Sequence, residues 1–146
     1  MSVGRKCQRG STMAETAIVM TTLLAMICGI IDFGRALYTY SFVAQTARQA
    51  TRWAMVRGSQ CTLLTDCNAT QSQVQAYAQS LAYGFITPSS MTARTTWVSC
   101  PPGSSGNAPG CTVDVVVTYP FHFALPWTSS LGSMTMTGTS EMVISQ

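Results

Sequence analysis

Charge is scarce in this chain of 146 residues. Asp, Glu, Lys and Arg together make up 9% of it, where roughly a quarter is usual in a soluble domain. Lys6 is the single lysine and His122 the single histidine. What charge there is lies unevenly. Arg5, Lys6 and Arg9 fall in the first ten residues, which hold no acid. The remainder sets Arg35, Arg48, Arg52, Arg57 and Arg94 against Glu15, Asp32, Asp66, Asp114 and Glu141. The formal net charge of +3 therefore belongs to one end and is no sign of a nucleic-acid surface. Catalytic patterns are missing as well. There is no G-x-S-x-G, no H-E-x-x-H and no phosphate-binding loop; GSSGNAPG has the glycines but no Lys-Ser/Thr after them. His122 stands in YPFHFALPW beside Phe121, Phe123 and Trp127, and nothing assigns it an orienting carboxylate. It reads as a packed or partly exposed histidine. The segment reads as a strand-linking piece of core, with an exposed contact patch as the other possibility. These absences speak against an enzyme and against a cofactor or metal.

One long apolar run is present: Met13 to Ile31, MAETAIVMTTLLAMICGII. A bilayer core of about 30 Å asks for roughly 20 such residues, and no second run of this kind follows. Thr16, Thr21 and Thr22 soften it, and Glu15 is its one ionisable group. The basic flank before it belongs on the cytoplasmic side and places the C-terminal part outside. Three readings of this terminus compete. A cleaved secretory signal would need an A-x-A-like site after the apolar core, where the chain has Asp32-Phe33-Gly34-Arg35. A lipoprotein anchor through Cys28 would follow a bulky Ile27. A short cytoplasmic leader, residues 1–10, cut between Gly10 and Ser11, keeps the apolar helix and accounts for Glu15.

After such a cut Glu15 is the fifth residue of the mature chain, the pattern of a prepilin. A carboxylate at mid-bilayer costs about 2.5–3.5 kcal/mol on insertion scales, and less near an edge. An ammonium group in the same apolar setting offsets that cost and penalises unpaired or misregistered helices. A local role stands beside this one. Thr12-Met13-Ala14-Glu15 fits a capping box, and an acid suits the first turn of a helix.

The helix is expected to continue beyond the span. From Phe33 to Arg57 there is no proline, and Phe33, Leu37, Tyr40, Ala44, Ala47, Thr51 and Ala54 recur in steps of three and four, widened by Ala36, Val43 and Ala50. This is one face of an amphipathic helix. Its first half reads as a helix–helix seam and its second half as packing on the protein's own sheet. Gly58 is placed for a C′ residue, and Gly29 and Gly34 are weak points costing about 1 kcal/mol each against alanine. Beyond it, VQAYAQSLAYGF (Val74 to Phe85) reads as a shorter helix. Arg94 to Ser99, Thr112 to Tyr119 and Ser133 to Ile144 read as strands, and Pro120 confines the second of these to an end or edge. The expected organisation is a leader over 1–10, a transmembrane helix over 11–32, an amphipathic extension over 33–58 and an extracytoplasmic α+β region over 59–146, with 59–73 a loop. The fold class is α+β, a long N-terminal helix on a small antiparallel sheet.

Six cysteines divide by place. Cys7 lies in the leader and Cys28 in the span, both expected to be inert. Cys61, Cys67, Cys100 and Cys111 face an oxidising space if the orientation holds. The local pairing Cys61–Cys67 and Cys100–Cys111 is the simplest of the three connectivities, and the spacings do not suit a four-cysteine zinc site.

Gly10-Ser11 with Glu15, the apolar span, GIIDFGRALY and AQTARQATRWA together resemble the TadE-like family of pseudopilins. The resemblance covers roughly residues 8 to 58 and implies a pilin-like fold and an accessory subunit of a tight-adherence (Flp-type) pilus. Its implied partners are a prepilin peptidase acting between Gly10 and Ser11, an inner-membrane assembly platform, other pilin or pseudopilin subunits and membrane lipid; nucleic acid is not among them. It implies a bacterial inner-membrane location, Glu15 as a subunit-register residue, and Asp32 with Arg35 as the acidic-x-x-arginine segment after the span. The chain departs from the family at Thr16, where an aromatic often follows the glutamate, and at Asp32, where glutamate is common. The reading from another class is a membrane-tethered extracytoplasmic binding domain that does not polymerise.

Overall fold

The computed structural model describes residues 8–62, 67–124 and 132–145, with backbone alone for 8–11. Arg5, Lys6, Cys7, Asp66 and Trp127 lie outside the described residues. Helix α1 runs over Gln8–Met55, and its 48 residues span roughly 72 Å at 1.5 Å per residue. Then come α2 (Gln71–Ser80), a 3-10 turn (Pro88–Ser90), and three strands, β1 (Thr92–Val98), β2 (Thr112–His122) and β3 (Ser133–Val143). The strands form one antiparallel sheet in the order β1-β2-β3. The architecture is α+β: a long helix lying across a small sheet.

Alternation along β2 sends Val113, Val115, Val117, Tyr119 and Phe121 to one face, where all are buried. That face meets the second half of α1, where Val43, Ala47, Ala50, Thr51 and Ala54 are sealed from solvent. Each fully buried valine contributes about 1.5–3 kcal/mol, and the alanines let helix and sheet come close. The closest approach is at Gly138 of β3. A Cβ there would lie 2.8 Å from the Val43 carbonyl oxygen and 2.9 Å from the Ala44 Cα, so only glycine fits. The Thr51 hydroxyl, 2.7 Å from the Ala47 carbonyl and 3.1 Å from that of Ser140, ties helix to sheet at the same crossing.

Several expectations are corrected. Thr12 is interior to α1, which already begins at Gln8, so the Thr12–Glu15 capping box does not form in the uncut chain. The helix stops at Met55, and Gly58 is buried without a left-handed backbone. The apolar stripe, by contrast, is covered in its second half as expected, while Phe33, Leu37 and Tyr40 in the first are 65%, 54% and 62% exposed. The second helix starts and ends earlier than Val74 to Phe85. Thr70 and Gln73 form a true capping box at its start, and Gly84, with φ +68°, turns the chain after it. Strand β2 continues through Pro120 to His122. Strand β1 has already ended at the Thr92–Thr118 pair, so the proline sits where β2 has a neighbour on one side only.

Aromatic contacts fasten the flanks. Arg57, Trp53 and Tyr77 stack in series, the guanidinium 4.0 Å from the indole centroid and the two rings 5.2 Å apart, joining the end of α1 to α2. Tyr83 sets its edge against Phe42 at 5.5 Å and Tyr38 at 6.2 Å. Burial of the charged form, with the hydrogen bond to Tyr83, raises the Tyr38 phenol above its usual 10.0.

Candidate functional site

The first part of α1 stands clear of the sheet. Met13, Ile18, Val19, Met20, Leu23, Leu24, Met26, Ile27, Ile30 and Ile31 are all exposed, and they lie on every side of the helix. Its most apolar 18-residue stretch has mean hydropathy 2.0 and is only 6% buried, so it is no core helix; it is long and apolar enough to cross a membrane. The threonines within it do not spoil that character. The hydroxyls of Thr16, Thr21 and Thr22 donate to the carbonyls of Thr12, Ala17 and Ile18 at 2.8, 2.8 and 2.9 Å, which satisfies their donors inside the helix. Glu15 is exposed and has no partner among the described residues. Gly10 and Ser11 lie inside the same helix. Cys28 is a free, half-buried thiol.

Where the exposed stretch ends, one carboxylate fastens it to the sheet. Asp32 is 4% exposed. Its Oδ1 accepts from Arg35 Nη1 at 2.9 Å, and its two oxygens accept from the Ala124 backbone N–H at 3.2 and 3.1 Å. The guanidinium of Arg35 also lies 5.5 Å from the Phe121 ring centroid, and the Thr39 hydroxyl donates to the Arg35 carbonyl at 2.8 Å. Asp32 and Arg35 thus act together, as one turn of helix (i, i+3) allows, and bind the exit of the apolar stretch to the chain leaving β2. The family resemblance had set these two residues in one segment; their hold on Ala124 had no sequence signal.

Residues 10–52 match the family model described as TadE-like protein. Over those residues the chain is similar to this family. No curated protein and no solved structure matches the chain. The TadE-like match takes in the Gly10-Ser11 junction, Glu15, the apolar stretch, Asp32 and Arg35, and ends within the part of α1 buried on the sheet. The strands and α2 lie outside the TadE-like segment.

The remaining candidates lie elsewhere. Cys61 is joined to Cys67 and Cys100 to Cys111, both beyond the far end of α1. Among the described residues no group of three histidine, cysteine or carboxylate side chains gathers to hold a metal. His122 is exposed at the end of β2, across a shallow cleft of about 220 Å³ from Arg35 and Thr39. Gly138 was open to sequence reasoning: a glycine inside a strand marks close backbone approach.

Proposed function

We propose that this protein is a pseudopilin, a structural and assembly subunit of the Tad (tight-adherence, Flp-type) pilus rather than an enzyme. Prepilin peptidase removes residues 1–10 at the cytoplasmic face, leaving Ser11 as the new amino terminus and Glu15 five residues in. The helix crosses the inner membrane with the sheet outside, and the assembly platform draws it from the lipid into a filament among other pilin-type subunits. The observation that carries this reading is Glu15: a carboxylate on an otherwise apolar, uncovered helix, with no partner among the described residues of its own chain. The Ser11 ammonium of a neighbouring subunit would supply the missing charge. Phe33, Leu37 and Tyr40, left uncovered by the sheet, continue a helix–helix seam above it.

Mass spectrometry of the chain purified from native membranes tests the first step, with Ser11 expected as the first residue. A start at Met1 or Ser2 turns the reading to a membrane-tethered binding domain, and a start near residue 35 to an ordinary secretory signal. Glu15→Gln then separates register from anchorage. Membrane insertion should be unchanged while incorporation into filaments falls several-fold; parental incorporation by this variant removes Glu15 from the assembly role.

A further inference from the structure

The end of the molecule farthest from Asp32 carries a cleft that the pilin reading does not use. Met55 lies about 35 Å along α1 from Asp32 at 1.5 Å per residue, and the loops beyond it border an open cleft of roughly 330 Å³ lined by Asn68, Thr70, Gln71, Trp97 and Asn107. Both disulfides brace its lips. Cys61–Cys67 immediately precedes Asn68, and Cys100–Cys111 closes the loop that holds Asn107. The lips are also tied to each other. The Asn107 side-chain amide donates to Asn68 Oδ1 and, at 3.4 Å, to the Ala69 carbonyl. The backbone N–H of Ser59 donates to the Asn107 carbonyl at 2.9 Å, and that of Ala69 to Arg57 at 2.8 Å. A wall held this way is formed before any ligand arrives, which lowers the ordering cost of binding.

Its chemistry is selective. None of the lining residues is ionisable, so nothing there recommends a phosphate, a carboxylate or a cation. The amides of Asn68, Gln71 and Asn107 and the Thr70 hydroxyl offer both donors and acceptors, which an apolar ligand would leave unpaired at a cost. Trp97 adds a half-buried aromatic ring to the wall; its indole N–H is shielded from solvent and has no partner among the described residues, so it is the ring rather than the N–H that faces a ligand. The volume is at the lower end of the range for small-molecule sites. We infer that this cleft binds a neutral saccharide unit, one sugar ring set against Trp97 with its hydroxyl or acetamido groups bonded to the surrounding amides. The inference holds whether the chain polymerises or remains a tether.

The test uses the full chain in lipid nanodiscs, so that no sugar-headed detergent competes. Saturation-transfer NMR and calorimetric titration are run with the N-acetylglucosamine disaccharide, lactose and maltose, and with glucuronic acid as the charged comparator. At least one neutral disaccharide should bind saturably and in preference to glucuronic acid. Trp97→Phe, which shrinks the ring set against the sugar, should weaken it about 2- to 10-fold, the size of part of one aromatic contact. Gln71→Ala, at an exposed position on the lip, should weaken it similarly and covers the case in which Trp97→Phe misfolds. Absence of saturable binding by all three neutral sugars overturns the assignment. So does tighter binding of glucuronic acid, or a neutral-sugar affinity that folded Trp97→Phe and Gln71→Ala both leave unchanged.

Discussion

Two of the residues that join the long helix to the sheet do so by opposite means. Asp32 attracts: its buried carboxylate takes hydrogen bonds from Arg35 and from the Ala124 backbone. Gly138 permits, by having no side chain where the Ala44 backbone passes. Hydrogen bonds to a charged group contribute about 1.5–3 kcal/mol, and a partly exposed ion pair at most about 1. Arg35 has a side chain 30% exposed, so the backbone contact should outweigh the ion pair. Asp32→Ala is expected to lower unfolding stability by about 1–3 kcal/mol, and Arg35→Gln by less than about 1 kcal/mol. Denaturant titration of the reconstituted chain compares them; equal losses would mean that Ala124 contributes nothing. Gly138→Ala should cost about 1–3 kcal/mol through overpacking, read as a lower Tm with an unchanged disulfide pattern. A neutral outcome would show that helix and sheet are farther apart than the geometry states.

At the scale of elements, α1 is two helices in one. Its first part is apolar and almost wholly exposed among the described residues; its second has one face covered by β2 and β3. The loops beyond its far end carry both disulfides. Opening the Cys100–Cys111 bridge by replacing both cysteines with serine should reduce stability by about 3 kcal/mol in the chain-entropy model. The loss should be local first, appearing as faster amide exchange in residues 101–110 while Val113, Val115 and Val117 stay protected. Uniform loss of protection would place the bridge in the global unfolding unit.

For the molecule as a whole, position relative to lipid decides which surfaces are free. With the span in a bilayer, Cys28 should resist a membrane-impermeant maleimide, whereas a cysteine introduced at the exposed Gln49 should react from outside intact spheroplasts. Labelling of Cys28 at the rate of the Gln49→Cys site would remove the span from the bilayer. The distal cleft then faces away from the membrane, about 35 Å of helix above Asp32 at 1.5 Å per residue.

How much of this was legible beforehand depended on distance along the chain. Periodicity of 3.6 marked α1 and alternation marked β2, because both are local patterns written by neighbours. The Asp32–Arg35 pair was legible only through the family resemblance. Element ends were read less well where a cap was overlooked, as at Thr70, or where a pattern was allowed a role it lacked, as at Thr12. The hold of Asp32 on Ala124, a separation of 92 residues, could not be read, nor could the approach of Asn107 to Asn68. Sequence by itself determined that a long apolar helix precedes a small antiparallel sheet, and that one acid lies near its start. The division of the amphipathic stripe into a covered and an open half was legible too; only the tertiary structure decided where the sheet crosses it, over Val43, Ala47, Ala50 and Ala54, clear of Phe33, Leu37 and Tyr40. Residue order specifies each element's own faces, but the crossing point is chosen by packing between distant segments, here by the one strand position, Gly138, that lets two backbones touch.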